Sequence, residues 1–287
     1  MNKMTLMVIA YVILAPLVGG LLAGLDRVIT ARMQGRYGPP VLQPFYDVLK
    51  LLSKENLAVN RVQNYLVFCF LLFIIFTGGL FFSGGDFLLV IFALTLASIL
   101  LVLAAYSSNS PYAYIGAERE LIQMMSYEPM VLITAMGMYA VTKSFDIAKI
   151  VSFDVPLIVY LPGVFIGFVY ILTIKLRKSP FDLSLSHHAH QELVKGLTTE
   201  FSGTTLALIE IAHWYENVFL LGFVYLFFAW SAPFSPLIGI AACLIIWFLE
   251  IFLDNNEARV KWQLAFKSSW LVAMTVGFVN ILILYFI

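Results

Sequence analysis

The sequence predicts an all-α, polytopic transmembrane helical bundle of about eight helices, with one interfacial amphipathic helix. Three observations predict it. First, 61% of the 287 residues are hydrophobic and only 12% are charged, about half the charge of an ordinary soluble domain. Second, the apolar residues fall into eight stretches, 4–25, 65–83, 87–107, 118–142, 155–176, 204–230, 237–253 and 267–287; a spanning helix needs about 20 mainly apolar residues. Third, the basic residues are segregated. Arg27, Arg32, Arg36, Lys50, Lys54, Arg61, Arg119, Lys175, Arg177, Lys178, Lys195, Arg259, Lys261 and Lys267 lie in or beside one set of loops, and Lys3, Lys143 and Lys149 in the other. The positive-inside bias makes the first set cytoplasmic and puts both termini outside, in a cell membrane.

Taken in order, the first stretch lacks a basic start and a small-residue cleavage site, so it reads as a spanning helix rather than a signal peptide. It contains Gly20-Leu-Leu-Ala-Gly24, a spacing that lets helices approach closely, although chance in a glycine-bearing helix explains it equally well. The following loop, 26–64, is long. Arg32 and Arg36 are four apart and would project from one side of a helical turn. Gly38-Pro39-Pro40 ends that element. Beyond it, Val41, Leu42, Phe45, Val48, Leu49 and Leu52 recur at helical spacing, with Gln43, Asp47, Lys50 and Lys54 on the other face and Pro44 tolerated in the first turn. This helix suits the membrane interface, or a short soluble-type helix beneath a partner. The chain reads as a single membrane domain, 1–287, with docking loops at 26–64 and 177–203.

Several functions are excluded. Cys69 and Cys243 stand alone and there is no CxxC, so no iron–sulfur cluster or thiolate zinc site is encoded. A formal net charge of zero gives no bulk attraction to nucleic acid.

The informative residues are ionisable groups in apolar stretches. Glu118, Glu120 and Glu128 fall in the fourth, Glu210, His213 and Glu216 in the sixth, and Glu250 near the inner end of the seventh. A charge at the bilayer centre costs about 2.5–3.5 kcal/mol on insertion scales, so such residues should face the protein interior, pair or be neutral. Glu210, His213 and Glu216 sit three apart, on one gently winding stripe that rises about 9 Å. Glu120 and Glu128 share a side, roughly 80° apart. Carboxylates and imidazole at this spacing suit proton transfer. The alternative is that they are helix-end caps or buried pairs that move no ion, which fits Glu118 and Glu250 best.

Two cytoplasmic segments carry a resemblance. The first runs Arg32-Met-Gln34-Gly-Arg36-Tyr-Gly38-Pro39, then Gln43-Pro44-Phe-Tyr-Asp47-Val-Leu-Lys50-Leu-Leu-Ser-Lys54-Glu55. The second runs Pro180-Phe181-Asp182-Leu, then Ser186-His187-His188-Ala-His190-Gln-Glu192-Leu-Val-Lys195-Gly196, then Thr199-Glu200-Phe-Ser202-Gly203. Gln123-Met-Met-Ser126-Tyr127-Glu128 adds a third match. Together they resemble the complex I membrane subunits called NADH dehydrogenase subunit 1, or the H subunit. Two features depart from the complex I form: the spacer before Gln43 is short, and serine and histidine replace the acidic run after Asp182. Both make the chain look most like the membrane anchor of an energy-converting, Ech-type (group 4) NiFe hydrogenase.

The resemblance implies a subunit of an oxidoreductase complex that carries no cofactor itself. A NiFe large subunit and an iron–sulfur small subunit would form a soluble arm fed by ferredoxin, beside an antiporter-like membrane subunit. Arg32, Gln34, Arg36, Gln43, Asp47, Lys50, Lys54, Glu55, His187, His188 and His190 would dock that arm. Asp182, Glu192 and Glu200 would join Glu118, Glu120, Glu128, Glu210, His213, Glu216 and Glu250 in a path for H+ or Na+. The three histidines have other readings: a metal site, which needs three or four convergent ligands, pH-sensitive docking, or plain polar packing. Rival functions are a quinone-chamber subunit of complex I, an independent ion transporter, and a passive anchor.

Overall fold

The computed structural model describes residues 3–57, 60–178, 180–182, 184 and 192–286. The histidines 187, 188 and 190 lie outside the described residues. The described chain is helical throughout: α1 (Lys3–Met33), α2 (Gln43–Leu52), α3 (Arg61–Phe82), α4 (Phe87–Tyr106), α5 (Pro111–Thr142), α6 (Ile147–Val151), α7 (Pro162–Lys175), α8 (Gly203–Phe228), α9 (Ser235–Asn256), α10 (Trp262–Val272) and α11 (Val279–Phe286). A π-helical turn, Ala273–Phe278, joins the last two. Six helices are long and apolar enough to cross a membrane: α1, α3, α4, α8, α9 and the α10–α11 run. The other two expected spans are also helical. α5 carries too many polar groups for that criterion, and α7 is a shorter apolar helix of 14 residues.

The boundaries differ from expectation in several places, among them the start of α5 at Pro111 rather than residue 118. Residues 26–33, expected to open the first loop, continue α1, helped by a Thr30 hydroxyl bond to Asp26. Arg36 therefore does not share a helical turn with Arg32: α1 stops at Met33, and Gly35 takes φ +68°, where a side chain would be strained. Residues 155–161 form a single 3-10 turn at Leu157–Val159 rather than a span, because Pro156 and Pro162 bracket them.

Helix length matters for the site. α1 and α5, with 31 and 32 residues, run about 46–48 Å against a hydrocarbon layer of about 30 Å. Their polar ends, carrying Asp26, Arg27 and Arg32 in one and Glu118 to Glu120 in the other, are the surplus.

The chain forms two compact units, whose limits fall inside α3, α4, α5 and α8. The first comprises residues 1–79, 93–121 and 182–218. In it, α2 turns Phe45 and Val48 inward against Ala207 and Trp214 of α8, with Ala23 of α1 alongside. Gly20 and Gly24 are required there: a Cβ on Gly20 would meet the Phe45 ring at 2.5 Å, and one on Gly24 would overlap the Val41 carbonyl. The small-residue spacing thus seats α2. Leu42, Tyr46, Leu49 and Leu52 form a second, exposed apolar edge on α2, consistent with an interfacial helix.

The second unit comprises residues 80–92, 122–181 and 219–287. Its core is aromatic. Phe81 and Phe168 stack on Phe223 at centroid distances of 5.6 and 5.7 Å, and Phe219 and Phe227 close the layer edge-on or tilted. Asn280 of α11 caps α7: its Oδ1 accepts the Gly163 and Val164 N–H groups at 2.9 and 3.1 Å, and its Nδ2 donates to the Tyr160 carbonyl. The first N–H groups of a helix have no partner within it, so a side chain from another helix supplies one. The preceding π turn lets Gly277 lie against Met130.

Candidate functional site

The two motif loops meet. Leu57 donates its N–H to the Ser202 hydroxyl at 3.0 Å, and Gln63 donates to the Glu200 carbonyl at 3.3 Å. The Thr205 hydroxyl lies 2.8 Å from Asn64 Oδ1 and 3.1 Å from Asn56 Oδ1. Gly203 takes φ +54°, and a Cβ there would fall 2.5 Å from the Glu55 carbonyl. The conjunction of Glu55 with Ser202-Gly203 is therefore backbone packing. In the first loop, Arg27 and Gln43 hold Asp47 at 2.7 and 2.8 Å. Partial burial pushes the Asp47 carboxyl up, but these hydrogen bonds and the charges of Arg27 and Lys50 outweigh it and leave the carboxyl below the usual range. Arg32 covers the Tyr37 ring at 4.8 Å, Arg36 donates to Gln34, and Lys50 and Lys54 are exposed.

The second loop is bolted to the start of α5 by ion pairs. Arg119 lies 3.5 Å from Asp182 and 3.1 Å from Glu192. Asp182, 1% exposed, also accepts the Glu192 N–H at 3.1 Å. The next residue, Glu120, accepts the Ser184 hydroxyl. Tyr112 pins Val194, its oxygen accepting the Val194 N–H and its hydroxyl donating to the Val194 carbonyl. Gly116 touches Gly196 so closely that a Cβ would sit 2.5 Å from its carbonyl carbon. Glu118 stands apart, exposed and bound by the Tyr106 hydroxyl at 3.0 Å. Sequence reasoning selected Glu120, Asp182 and Glu192 but missed their organiser; Arg119, flanked by two glutamates, was the available signal.

The α8 stripe lies in the same unit. His213 Nδ1 is 3.4 Å from Glu216, an ion pair only when the imidazole is protonated, and the Phe70 ring packs edge-on against it. Glu216 is 6% exposed. Glu210 is half-buried and has no ion-pair partner among the described residues. Trp214 packs on Phe45. Tyr215 does more. Pro16 has no N–H, which leaves the Val12 carbonyl without its helical donor, and the Tyr215 hydroxyl donates to that carbonyl at 2.6 Å. Beside it, the Tyr11 ring of α1 meets the Tyr215 ring edge-on at a centroid distance of 5.5 Å.

Glu128 and Glu250 belong to the second unit; Glu120 and Glu128 both lie on α5, with the limit between the units falling between them. Glu128 has the charge of Lys175 near it, and Lys175 in turn covers the Tyr127 ring at 4.4 Å. Glu250 is fully buried, with Thr173, Lys178 and Asp254 as its polar surroundings. Lys178 and Asp254 pair at 3.5 Å. Pro129 repeats the device of Pro16: it frees the Met125 carbonyl, which accepts the Trp270 indole N–H at 3.2 Å. Lys175, Lys178 and Asp254 were not selected from sequence, because nothing in their spacing ties α7 to α9. Among the described residues, no group of three His, Cys, Asp or Glu side chains could hold a metal ion.

The model of the NADH dehydrogenase family matches residues 4–285. The chain is similar to hydrogenase-4 component C of Escherichia coli (strain K12), with 28% identity over 281 residues that span 88% of this chain and 87% of the relative. It is similar to the H subunit of the NADH-quinone oxidoreductase of Geobacillus sp. (strain WCH70), with 30% identity over 308 residues spanning 95% and 90%. Among solved structures, a chain of the membrane-bound sulfane sulfur reductase, an archaeal respiratory membrane complex, superposes with a TM-score of 0.86 at 23% identity, covering 99% of this chain and 100% of that one; that likeness is one of fold. A match over nearly the whole length, an all-helical membrane architecture and motif loops gathered at one site agree: the chain belongs to the NADH dehydrogenase family, that of subunit 1, or H.

Proposed function

We propose that this chain is the membrane subunit of a ferredoxin-linked, hydrogen-evolving NiFe hydrogenase complex, docking the soluble redox arm and coupling proton reduction to H+ or Na+ translocation. The observation that carries this reading is the joining of both motif loops, with buried Asp182 and Glu120, to a unit that also holds the ionisable stripe of α8. The short spacer before Gln43 and the similarity to a hydrogenase-4 component favour the hydrogenase form. In this reading the NiFe centre and iron–sulfur clusters sit on partner subunits, as the resemblance to energy-converting hydrogenase anchors implies. The loops are taken as cytoplasmic and the termini as external, from the placement of Lys and Arg.

Coupling is indirect. Charge changes in the arm alter the Asp182–Arg119–Glu192 network, and proton occupancy along Glu210, His213 and Glu216 follows. Half-buried Glu128 and buried Glu250 offer a second set. The second reading, a quinone-chamber subunit, is favoured by the 30% identity to the H subunit of an NADH-quinone oxidoreductase. Purification of the intact complex tests the choice. Nickel and hydrogen evolution support the first reading; bound quinone without nickel overturns it. Glu210→Gln and Glu128→Gln should lower the ions moved per electron, and a wild-type ratio in both overturns the coupling role.

A further inference from the structure

Glu250 of α9 is 0% exposed, and neither of its carboxyl oxygens receives a hydrogen bond from the described residues. Its surroundings offer oxygen rather than donors. Asp254 follows one helical turn later on the same face of α9, about 5–6 Å away between Cβ atoms. Thr173 of α7 is 3% exposed and turns its hydroxyl proton back to the Val169 carbonyl at 3.4 Å, which leaves lone pairs on its oxygen. The positive charge beside them is Lys178, just past α7, and it pairs with Asp254 at 3.5 Å. That segment is fixed: the Val260 N–H, after α9, donates to the Pro180 carbonyl at 2.7 Å. Charge counting follows. Lys178 offsets Asp254, and one negative charge remains to be met at Glu250. A buried carboxylate without compensation is costly, so Glu250 holds either a proton or one monovalent cation. A divalent ion would leave a surplus positive charge in the same place.

We propose that Glu250, Asp254 and Thr173 form a binding site for a monovalent alkali cation, with a proton as its competitor at Glu250 and Lys178 as the built-in counter-charge. The proposal deepens the reading of Glu128 and Glu250 as a second set in an ion path, and rests on that reading for what the bound ion does. Two carboxylates and a hydroxyl are hard oxygen donors, which suit a sodium-type ion rather than a soft metal. Filling the site is an exchange. The Glu250 O–H bond breaks, the proton is released, and the cation takes its place among the oxygens with the net charge unchanged. No electron moves in the step, and Lys178 stays on Asp254 in both states.

The test uses the intact membrane complex, with sodium as the probe and choline as its control at equal ionic strength. Sodium should remove the infrared band of one protonated carboxyl, and the sodium needed should rise about tenfold for each unit fall in pH. Glu250→Gln should abolish the response. Thr173→Val keeps the side-chain shape, deletes one oxygen, and should raise the sodium needed several-fold. Lys178→Gln should lower it, because a positive charge that repels the ion is gone; a lysine with only a structural role would give no such gain. The absence of a sodium-dependent band, or a band retained in Glu250→Gln, overturns the site. If Glu250→Gln fails to assemble, Thr173→Val decides, and a wild-type sodium requirement there overturns it. Ions moved per electron, read in proteoliposomes, separate the two claims. A sodium response lost in Glu250→Gln beside a wild-type ratio supports the site and overturns its part in the path; a lowered ratio without any sodium response overturns the site and leaves the path standing.

Discussion

Pro16 and Pro129 interrupt two long helices, and each leaves one carbonyl without its helical donor. A phenol answers the first and an indole the second. A buried acceptor left unpaired costs about 1–3 kcal/mol, so Tyr215→Phe should lower stability by about that much, read as thermal unfolding of the purified complex. Pro16→Ala restores a backbone donor for Val12. In the double variant, most of the cost of Tyr215→Phe should therefore vanish, and purely additive losses would contradict this account. Asp47 makes a smaller, pH-dependent contribution. Its folded carboxyl titrates below the ordinary 3.8, so the stabilisation is present above that pH and is lost as pH falls through the lower folded value. Asp47→Asn should cost about 0–1 kcal/mol at neutral pH, as expected of a pair this exposed, and nothing in strong acid. An effect that grew on acidification would reverse the sign.

At the scale of elements, the overhang of α5 is the seat of the second loop. Asp182 is buried, Arg119 nearly so, and Glu192 half-exposed. Removing one member of a buried ion pair costs about 3–5 kcal/mol, because the other charge is left without compensation. Arg119→Gln should therefore release residues 192–197 from α5, seen as faster amide hydrogen exchange there. Gly116→Ala should do the same by steric means, since its Cβ has no room against Gly196. Unchanged exchange in both variants would show that the loop is held by something other than α5. The pattern of this element was half legible. The glutamates stood out as charges in an apolar stretch; Arg119 was counted only toward orientation, because its two partners lie more than sixty residues away in sequence.

At the scale of the whole molecule, the two motif loops act as one surface. Residues 54–57 and 200–205 share hydrogen bonds and a glycine contact. In the proposed complex, stripping the soluble arm should raise exchange in both loops together, and Gly203→Ala, strained by its φ and blocked by the Glu55 carbonyl, should loosen both at once. Exchange that rises in one loop alone would refute their coupling. The membrane class, the amphipathic helix and the family were legible from composition, periodicity and motif spacing, which are local properties. The division into two units was not: its limits cut through the middle of continuous helices, α3, α4, α5 and α8.

The amino-acid sequence by itself determined that this protein is a helical membrane protein, because burying apolar length in lipid and satisfying every backbone group admit few other solutions; its motif segments carried the resemblance to the NADH dehydrogenase family. Only the tertiary structure decided which charges meet. Arg119 reaches Asp182 and Glu192, and Lys178 reaches Asp254. These partners come from helices and loops distant in sequence. Their pairing is set by where glycines let backbones touch and where prolines leave carbonyls to be filled, and no spacing along a single helix encodes that.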